Sequence, residues 1–184
     1  MTYFDFTSED FYIASKRLIL AKGTCVKLSK GDFLCQQGNR NIQVGFLLNG
    51  CLKYSCFTTN GNERVISLAF TGDLVGCYSS IRNNSPSPFD IVALKKSTVY
   101  LIPISMVDAE IGLEMRIKLS EAIAFRALQE AIDYRCKSLM ERYQELLNRY
   151  PDIHNKMSNR TIASYLGITP ESFCRLRKRL LTKT

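Results

Sequence analysis

The sequence predicts an α+β protein in three parts: an N-terminal β-roll or jelly roll, a long helix, and a C-terminal helical region that ends in a helix-turn-helix. Between Thr24 and Pro103, short runs rich in β-branched and aromatic residues alternate with Gly, Asn and Asp turn signals, as in small β-sandwiches and barrels. From Ala109 to Tyr150 there is one Gly and no Pro, which indicates helix. We expect domain boundaries at residues 1–108, 109–138 and 139–184.

The turn signals place individual elements in the first half. Asn60-Gly61 separates two β-rich runs, 51–58 and 63–70, and Asn-Gly between such runs is a strong hairpin signal. A short helix is expected before the strands, at Ser8–Leu20. The segment from Asn83 to Pro88 contains two prolines and two asparagines, so we expect an irregular loop there.

The helical stretch from 109 to 150 is too long for one uncapped globular helix, so a break is expected near residues 136–139. Apolar residues recur along it at helical spacing, and two interpretations of that stripe stay open. It could pack against the chain's own barrel, or it could form the interface of a parallel homodimer. The stripe consists of Ile117, Ala124, Phe125, Leu128, Ala131 and Ile132, with Leu139 as its continuation.

The C-terminal segment has the start and stop signals of two short helices. Ile162, Ala163 and Leu166 recur at helical spacing, and Gly167 follows where a tight turn is needed. The second helix opens on Thr169-Pro170-Glu171, which suit the N-cap, the first helical position and the positive helix end. Its apolar residues Phe173, Leu176 and Leu180 fall on one face.

The opposite face of this second helix is polar and basic, as the major groove of DNA requires. A basic helix face is often only a solvated face, and the charge distribution favours the DNA interpretation. Residues 135–184 hold 11 Lys and Arg against 4 Asp and Glu, so +7 of the net charge of +8 lies in this region. Such asymmetry is typical of nucleic-acid-binding modules.

Composition excludes several other classes. No apolar run approaches the ~20 residues that span a bilayer, and the N-terminus has no signal-peptide pattern, so we expect a cytoplasmic protein with no membrane partner. The seven cysteines are scattered without a CxxC, which disfavours a metal or cluster site. The segment from Thr24 to Pro103 contains no His, which excludes a metal enzyme of the cupin type. We expect no catalytic residues, no metal and no cofactor.

The ordered set of motifs resembles the Crp/Fnr superfamily of bacterial transcription regulators, over most of the chain. The quoted segments are Lys30-Gly31-Asp32-Phe33 with Gln37-Gly38, VGFLLNG at 44–50, GDLVG at 72–76, ERYQELLNRYP at 141–151, and LGITPESFCRLR at 166–177. The resemblance implies a sensory roll like the cyclic nucleotide-binding domain, a dimerisation helix and a DNA-reading helix-turn-helix. Palindromic double-stranded DNA, a second copy of the chain, RNA polymerase and an unidentified small-molecule effector are the partners expected.

The chain departs from the pattern of the superfamily members that bind cyclic AMP. Those members carry a Glu soon after the Gly-Asp-Leu-Gly turn and an Arg-Ser/Thr pair that holds the phosphate. In this chain Cys77 follows Gly76 with no acid after it, and Pro88 rather than Arg occupies the position directly before Phe89. We therefore expect a degenerate pocket that does not bind cyclic AMP. Candidate effector-pocket residues are Gly76, Tyr78, Ser79, Ser80 and Arg82, with Arg82 expected in a loop. The four-cysteine cluster of the oxygen-sensing branch is also absent.

The function predicted is that of a sequence-specific DNA-binding transcription regulator and not an enzyme. Glu171, Cys174 and Arg175 are expected to contact bases, although members of the superfamily often have Ser or Gly where Cys174 stands. Residues expected on or near phosphates are Thr169, Ser172, Arg177, Lys178, Arg179 and Lys183. The alternative is a small-molecule or redox sensor whose effector binds in the roll and controls DNA binding.

Overall fold

A computed structural model describes residues 10–181, apart from the side chains of Met115 and Leu181. The α+β architecture and the order of its parts are confirmed: eight strands occupy Thr24 to Pro103 and helices follow. The elements are α1 (Asp10–Lys22), β1 (Thr24–Leu28), β2 (Phe33–Cys35), β3 (Gln43–Asn49), β4 (Cys51–Phe57), β5 (Glu63–Phe70), β6 (Leu74–Gly76), α2 (Tyr78–Asn83), β7 (Asp90–Ala93), β8 (Ser97–Pro103), α3 (Ile104–Cys136), α4 (Leu139–Arg149), α5 (Ile153–Lys156), α6 (Asn159–Leu166) and α7 (Pro170–Leu181).

The strands form two antiparallel four-stranded sheets, ordered β1-β8-β3-β6 and β2-β7-β4-β5, which we call the roll. The side chains between the sheets form its core, which includes the fully buried Leu47, Leu52, Ile91 and Val99. The predicted β4–β5 hairpin is present, and Gly61 lies at its turn with a φ of 74°. A positive φ is energetically unfavourable for most other residues, which explains why a glycine occupies this position of the turn.

Helix α1 packs against the roll and against α3. Phe11, Tyr12 and Ile19 are buried with Val44 and Phe46 of β3 in a second apolar cluster. The described part of the helix covers Asp10–Lys22, so its end lies two residues later than the expected Leu20, and the expected start at Ser8 lies outside the described residues. Within the described residues, no helix has the length and hydropathy needed to cross a bilayer.

The long helix begins at Ile104, earlier than the expected Ala109, and ends at Cys136. The predicted break at 136–139 is confirmed, and a capping box explains it. The amide of Glu141 donates to Ser138 Oγ at 3.3 Å, and the amide of Ser138 donates to the Glu141 carboxylate at 2.8 Å. A second irregularity in α3 was not predicted from the sequence: Gly112 has φ 86° and ψ 167°, which kinks the helix near its start.

Helices α4 to α7, the reader region, share one apolar cluster with the outer face of the second sheet. Val65, Leu68 and Phe70 of β5 pack with residues of the reader region, among them Leu166 and Phe173. Leu139 belongs to this cluster and lies on α4. The prediction that Leu139 continues the stripe of α3 was therefore wrong, because α3 ends at Cys136 and Leu139 begins a new helix.

Candidate nucleic-acid interface

Two short helices, α6 and α7, meet at a glycine turn, as predicted. The Ser158 side chain caps α6 by accepting from the Thr161 amide at 3.1 Å. Gly167 ends α6 with φ 79°, and the Ile168 amide donates to the Ala163 carbonyl at 3.0 Å. At the start of α7, Thr169 Oγ1 accepts from the Ser172 amide at 3.2 Å, which confirms the predicted N-cap.

The inner face of α7 is anchored in the reader core. Phe173 is completely buried, and its ring meets that of Tyr143 edge-on with centroids 5.1 Å apart. Leu176 is also buried, and Leu180 packs at the margin of the same cluster. This anchoring fixes the rotation of α7 about its own axis, and therefore fixes which side chains face outward.

The outward face of α7 carries the residues expected to contact bases. Glu171, Cys174 and Arg175 are all exposed, and Arg175 Nη2 donates to Ser172 Oγ at 3.2 Å. Hydrogen bonds from its own backbone amide and from the Thr169 hydroxyl lower the pKa of Glu171, so its carboxylate is ionised at neutral pH. The face therefore presents the carboxylate of Glu171, which can accept from the amino group of cytosine, and the guanidinium of Arg175, which can donate two hydrogen bonds to guanine.

The basic residues expected near phosphates differ in how exposed their side chains are. Lys178 and Arg179 are exposed on α7, whereas Arg177 is half-buried and donates to Asn159 Oδ1 at 3.3 Å. Arg177 thus ties α7 to α6 in the free protein. Lys183 lies outside the described residues.

Sequence reasoning missed the contact that docks the reader region on the roll. Ser164 of α6 accepts from the Val65 amide at 3.0 Å and donates to the Glu63 carbonyl at 3.5 Å, so it bonds to the backbone of β5. Nearby, the rings of Phe70 and Tyr150 stack with centroids 3.7 Å apart. No local pattern signals these pairs, since their members lie about 80 to 100 positions apart in the chain.

The apolar stripe of α3 faces away from the chain's own body. Leu128 is 59% exposed, and Phe125 and Ile117 are each 48% exposed, whereas Ala122 on the opposite side packs in the cluster around α1. Of the stripe, only Ala131 is half-buried; Ala124 and Ile132 are exposed like the rest. The alternative that the stripe packs against the chain's own barrel is therefore wrong for this structure.

The candidate effector residues lie around α2, and Gly76, Ser79 and Ser80 have local hydrogen-bond partners. The hydroxyls of Ser79 and Ser80 both lie 3.3 Å from Cys77 Sγ, and the amide of Gly76 donates to the Tyr54 hydroxyl at 3.4 Å. Burial raises the pKa of Tyr54 to about 12, so this hydroxyl stays neutral.

The expectation that Arg82 lies in a loop was wrong, because Arg82 belongs to the last turn of α2. Its side chain is exposed, as is that of Asn83 beside it. Tyr78 on the first turn of the same helix is half-buried. Among the described residues, no group of three or more His, Cys, Asp or Glu is arranged to hold a metal ion.

Comparison with known proteins defines the class. Residues 25–111 match the family model of the cyclic nucleotide-binding domain. The solved structures that resemble the chain include FixK2 from Bradyrhizobium japonicum, with a TM-score of 0.72, 21% identity, and coverage of 88% of this chain and 85% of that one. No curated protein sequence matches this chain significantly.

Two further solved structures cover nearly the whole chain. The regulator CLP of Xanthomonas campestris, which is described as responsive to c-di-GMP, has a TM-score of 0.68 and 14% identity, with 93% of this chain and 92% of that one covered. The catabolite activator protein of Thermus thermophilus has a TM-score of 0.57 and 16% identity, with 97% and 86% covered. The chain therefore has the fold of Crp/Fnr-type regulators, and its N-terminal roll is similar to the cyclic nucleotide-binding domain.

Proposed function

We propose that the protein is a sequence-specific DNA-binding transcription regulator that acts as a homodimer in the cytoplasm. The observation that carries this proposal is the outward face of α7, where Glu171, Cys174 and Arg175 are exposed while Phe173 beneath them is completely buried. The structural similarity to CLP, which is described as a global regulator that links cell-cell signaling to virulence gene expression, supports the same role. Selection of bound sequences from random duplex DNA tests it, and a recurrent motif is expected.

The base contacts fall to the exposed side chains of the outward face. Arg175 would donate its two-pronged fork to O6 and N7 of guanine, and Glu171 would accept from the amino group of cytosine. Cys174 lies between them on the same face and has only a weak thiol donor to offer. The specificity of the site would therefore rest mainly on Glu171 and Arg175.

The phosphate contacts would come from the helix start and from the basic residues around the outward face. Thr169 and Ser172 lie at the positive end of α7, where backbone amides favour an anion. Lys178 and Arg179 extend the positive surface, and Arg177 and Lys183 complete the set expected from the sequence. These contacts would position the protein without reading sequence.

Removing two of these cations tests their role. The double variant Lys178→Ala/Arg179→Ala is expected to lower the slope of log K against log[salt] by roughly two units, because each phosphate contact releases about one counterion. The slope is measured by fluorescence anisotropy over a series of salt concentrations. Lys30→Ala/Arg40→Ala removes the same charge from exposed positions of the roll and should leave the slope unchanged. Equal slopes for all three proteins would contradict the assignment.

The homodimer would form through the stripe of α3. An exposed apolar surface along a helix of this length is a typical interaction surface. Two copies packed in parallel across the stripe would place their α7 helices about one turn of DNA apart, which suits a palindrome. RNA polymerase is a further partner that we propose for the DNA-bound dimer.

We also propose that the roll does not bind cyclic AMP. The cyclic phosphate is an anion, and taking it into the roll unpaired would cost several kcal/mol. Arg82, the one cation among the candidate effector residues, is exposed on the last turn of α2. Calorimetry with cyclic AMP and cyclic GMP up to millimolar concentration is expected to show no saturable heat. A dissociation constant below about 10 μM, near −7 kcal/mol, would contradict this.

The alternative function is a sensor whose effector in the roll controls DNA binding. The docking of α6 on β5 favours a coupling of this kind, because the roll and the reader region share a hydrophobic core. A change in the roll that moves β5 would move the reader region with it. The two functions differ in whether purified protein binds its motif without any additive, which a gel shift measures.

A further inference from the structure

A cleft of about 680 Å³ lies outside the roll, where α1, α3 and the reader region meet. Phe11 and Tyr12 of α1 form one wall, and Leu119, Ala122 and Arg126 of α3 form another. The reader region closes it with side chains that include Arg142, Tyr150 and Tyr165. A concave, mostly apolar cavity of this size with a few polar groups is the usual form of a small-molecule site.

The charged side chains that line the cleft differ in whether they have an ion-pair or hydrogen-bond partner. Arg126 pairs with Glu130 at 3.2 Å. The lining carboxylates Asp133 and Glu145 both pair with Lys137, which lies outside the lining, at 3.1 and 2.7 Å. The fourth carboxylate of the lining, Asp73, accepts from the Phe70 amide at 2.7 Å. Each of these carboxylates therefore already has a partner.

Arg142 differs from Arg126, which has a carboxylate partner in the cleft. Its guanidinium stacks on the ring of Tyr134, 4.5 Å from the ring centroid, and its Nε is buried without a hydrogen-bond acceptor among the described residues. No ion pair of Arg142 is found within residues 10–181 either. A buried guanidinium N–H without an acceptor is costly, and the Nε–Nη edge fits a carboxylate in a two-bond fork.

We propose that this cleft is a binding site for a small aromatic monocarboxylate, whose carboxylate pairs with Arg142 and whose ring lies among the tyrosines. The ring belongs there because Tyr12, Tyr150 and Tyr165 line the same cavity. A monoanion fits better than a dianion, since four carboxylates and three arginines line the cleft and a second negative charge would be repelled.

The site is placed to influence the reader region. Tyr134, which supports Arg142, also lies against the turn between α6 and α7: a Cβ on Gly167 would meet the Tyr134 hydroxyl at 2.8 Å. A ligand bound to Arg142 would therefore change the packing of Tyr134, which contacts the turn of the helix-turn-helix. Binding itself is independent of the proposed function, whereas its effect on DNA binding rests on it.

Binding is tested with indole-3-acetate and 2-naphthoate as probes. The chain contains no Trp, so the polarisation of the probes' own fluorescence can be followed without tryptophan background. Saturable binding with a dissociation constant below about 1 mM, near −4 kcal/mol, is expected for at least one probe. The neutral indole-3-acetamide should bind at least about tenfold more weakly than the acetate, because it cannot pair with a guanidinium. Absence of saturation by both carboxylates, or equal binding of acetate and amide, would overturn the proposal.

The variant Arg142→Gln assigns the contact. It should weaken indole-3-acetate about tenfold or more and leave the weaker amide unchanged, since only the charge pair is lost. A merely structural role of Arg142 would weaken both ligands alike, and that result would overturn the assignment. Arg17→Gln, an exposed arginine of α1 outside the cleft, is the matched control and should bind both ligands like the wild type.

The consequence for DNA is measured separately, on the motif selected from random DNA. Saturating indole-3-acetate is expected to change the affinity of the wild type for that motif at least about threefold and to leave Arg142→Gln unaffected. Ligand binding without any sequence-specific DNA binding would overturn the proposed function and keep the site. Specific DNA binding that the ligand leaves unchanged would overturn the regulatory step.

Discussion

Replacing Leu128 by aspartate is expected to convert the protein into monomers and to abolish its binding to palindromic DNA. Leu128 is 59% exposed in the single chain and lies in the middle of the α3 stripe. In a parallel dimer the two copies of this side chain would be buried near the two-fold axis, each contributing about 1.5–3 kcal/mol. The aspartate would lose that contribution twice and bring two carboxylates together in an apolar interface.

Sedimentation velocity at micromolar concentration measures this effect. The wild type is expected as a dimer and Leu128→Asp as a folded monomer with unchanged helical circular dichroism. Phe57→Asp is the matched control, because Phe57 is 56% exposed on β4, away from α3, and its variant should remain a dimer. A wild type that sediments as a monomer at this concentration would rule out the dimer through α3.

Arg175→Ala is expected to weaken binding to the specific site by about 1–3 kcal/mol and binding to random DNA far less. The loss falls on the specific site because the guanidinium fork matches one base edge and not the others. In the free protein this side chain is exposed and bonded to Ser172, so the variant should fold normally.

Competition titrations against both kinds of DNA measure the difference. Arg17→Ala, which removes an exposed arginine of α1, should leave both affinities unchanged. If Arg175→Ala weakened binding to specific and random DNA equally, Arg175 would contact only phosphate, and other residues of α7 would have to contact the bases.

Features that a few neighbouring residues determine could be predicted from the sequence. The hairpin at Asn60-Gly61 and the turn at Gly167 depend on positive φ values, which only a few residue types adopt readily. The break after Cys136 coincides with the capping box of Ser138 and Glu141. The apolar face of α7 followed from spacing alone, and Phe173 and Leu176 are buried as expected.

Features that depend on distant parts of the chain could not be predicted. The Ser164 contacts with β5 and the stacking of Phe70 on Tyr150 join residues far apart in sequence. The cleft beside Arg142 has walls from four separate helices, α1, α3, α4 and α6, and from β5 and β6, so no local pattern reveals it. The kink at Gly112 did have a local signal, the lone glycine of the long helix, but a glycine inside a helical pattern is commonly tolerated.

The position of Arg82 in a helix also depends on tertiary contacts, so it could not be predicted from the local sequence. The segment before it has no strong helix formers, and α2 is only six residues long. Such a short helix is stabilised by its contacts with the roll, since isolated helices of this length are unstable. Only the tertiary structure could place Arg82 on its last turn.

The central claim is that two copies of this chain read a palindrome through their α7 helices. Selection of bound fragments from a random pool of duplex DNA, followed by sequencing, tests it most directly. One recurrent motif is expected, with two inverted half-sites whose centres lie about 34 Å, or one helical turn, apart. Arg175→Ala is further expected to relax the preference at one position of each half-site. Recovery of no enriched motif, or of a motif without inverted symmetry, would contradict the reading of a palindrome by two α7 helices.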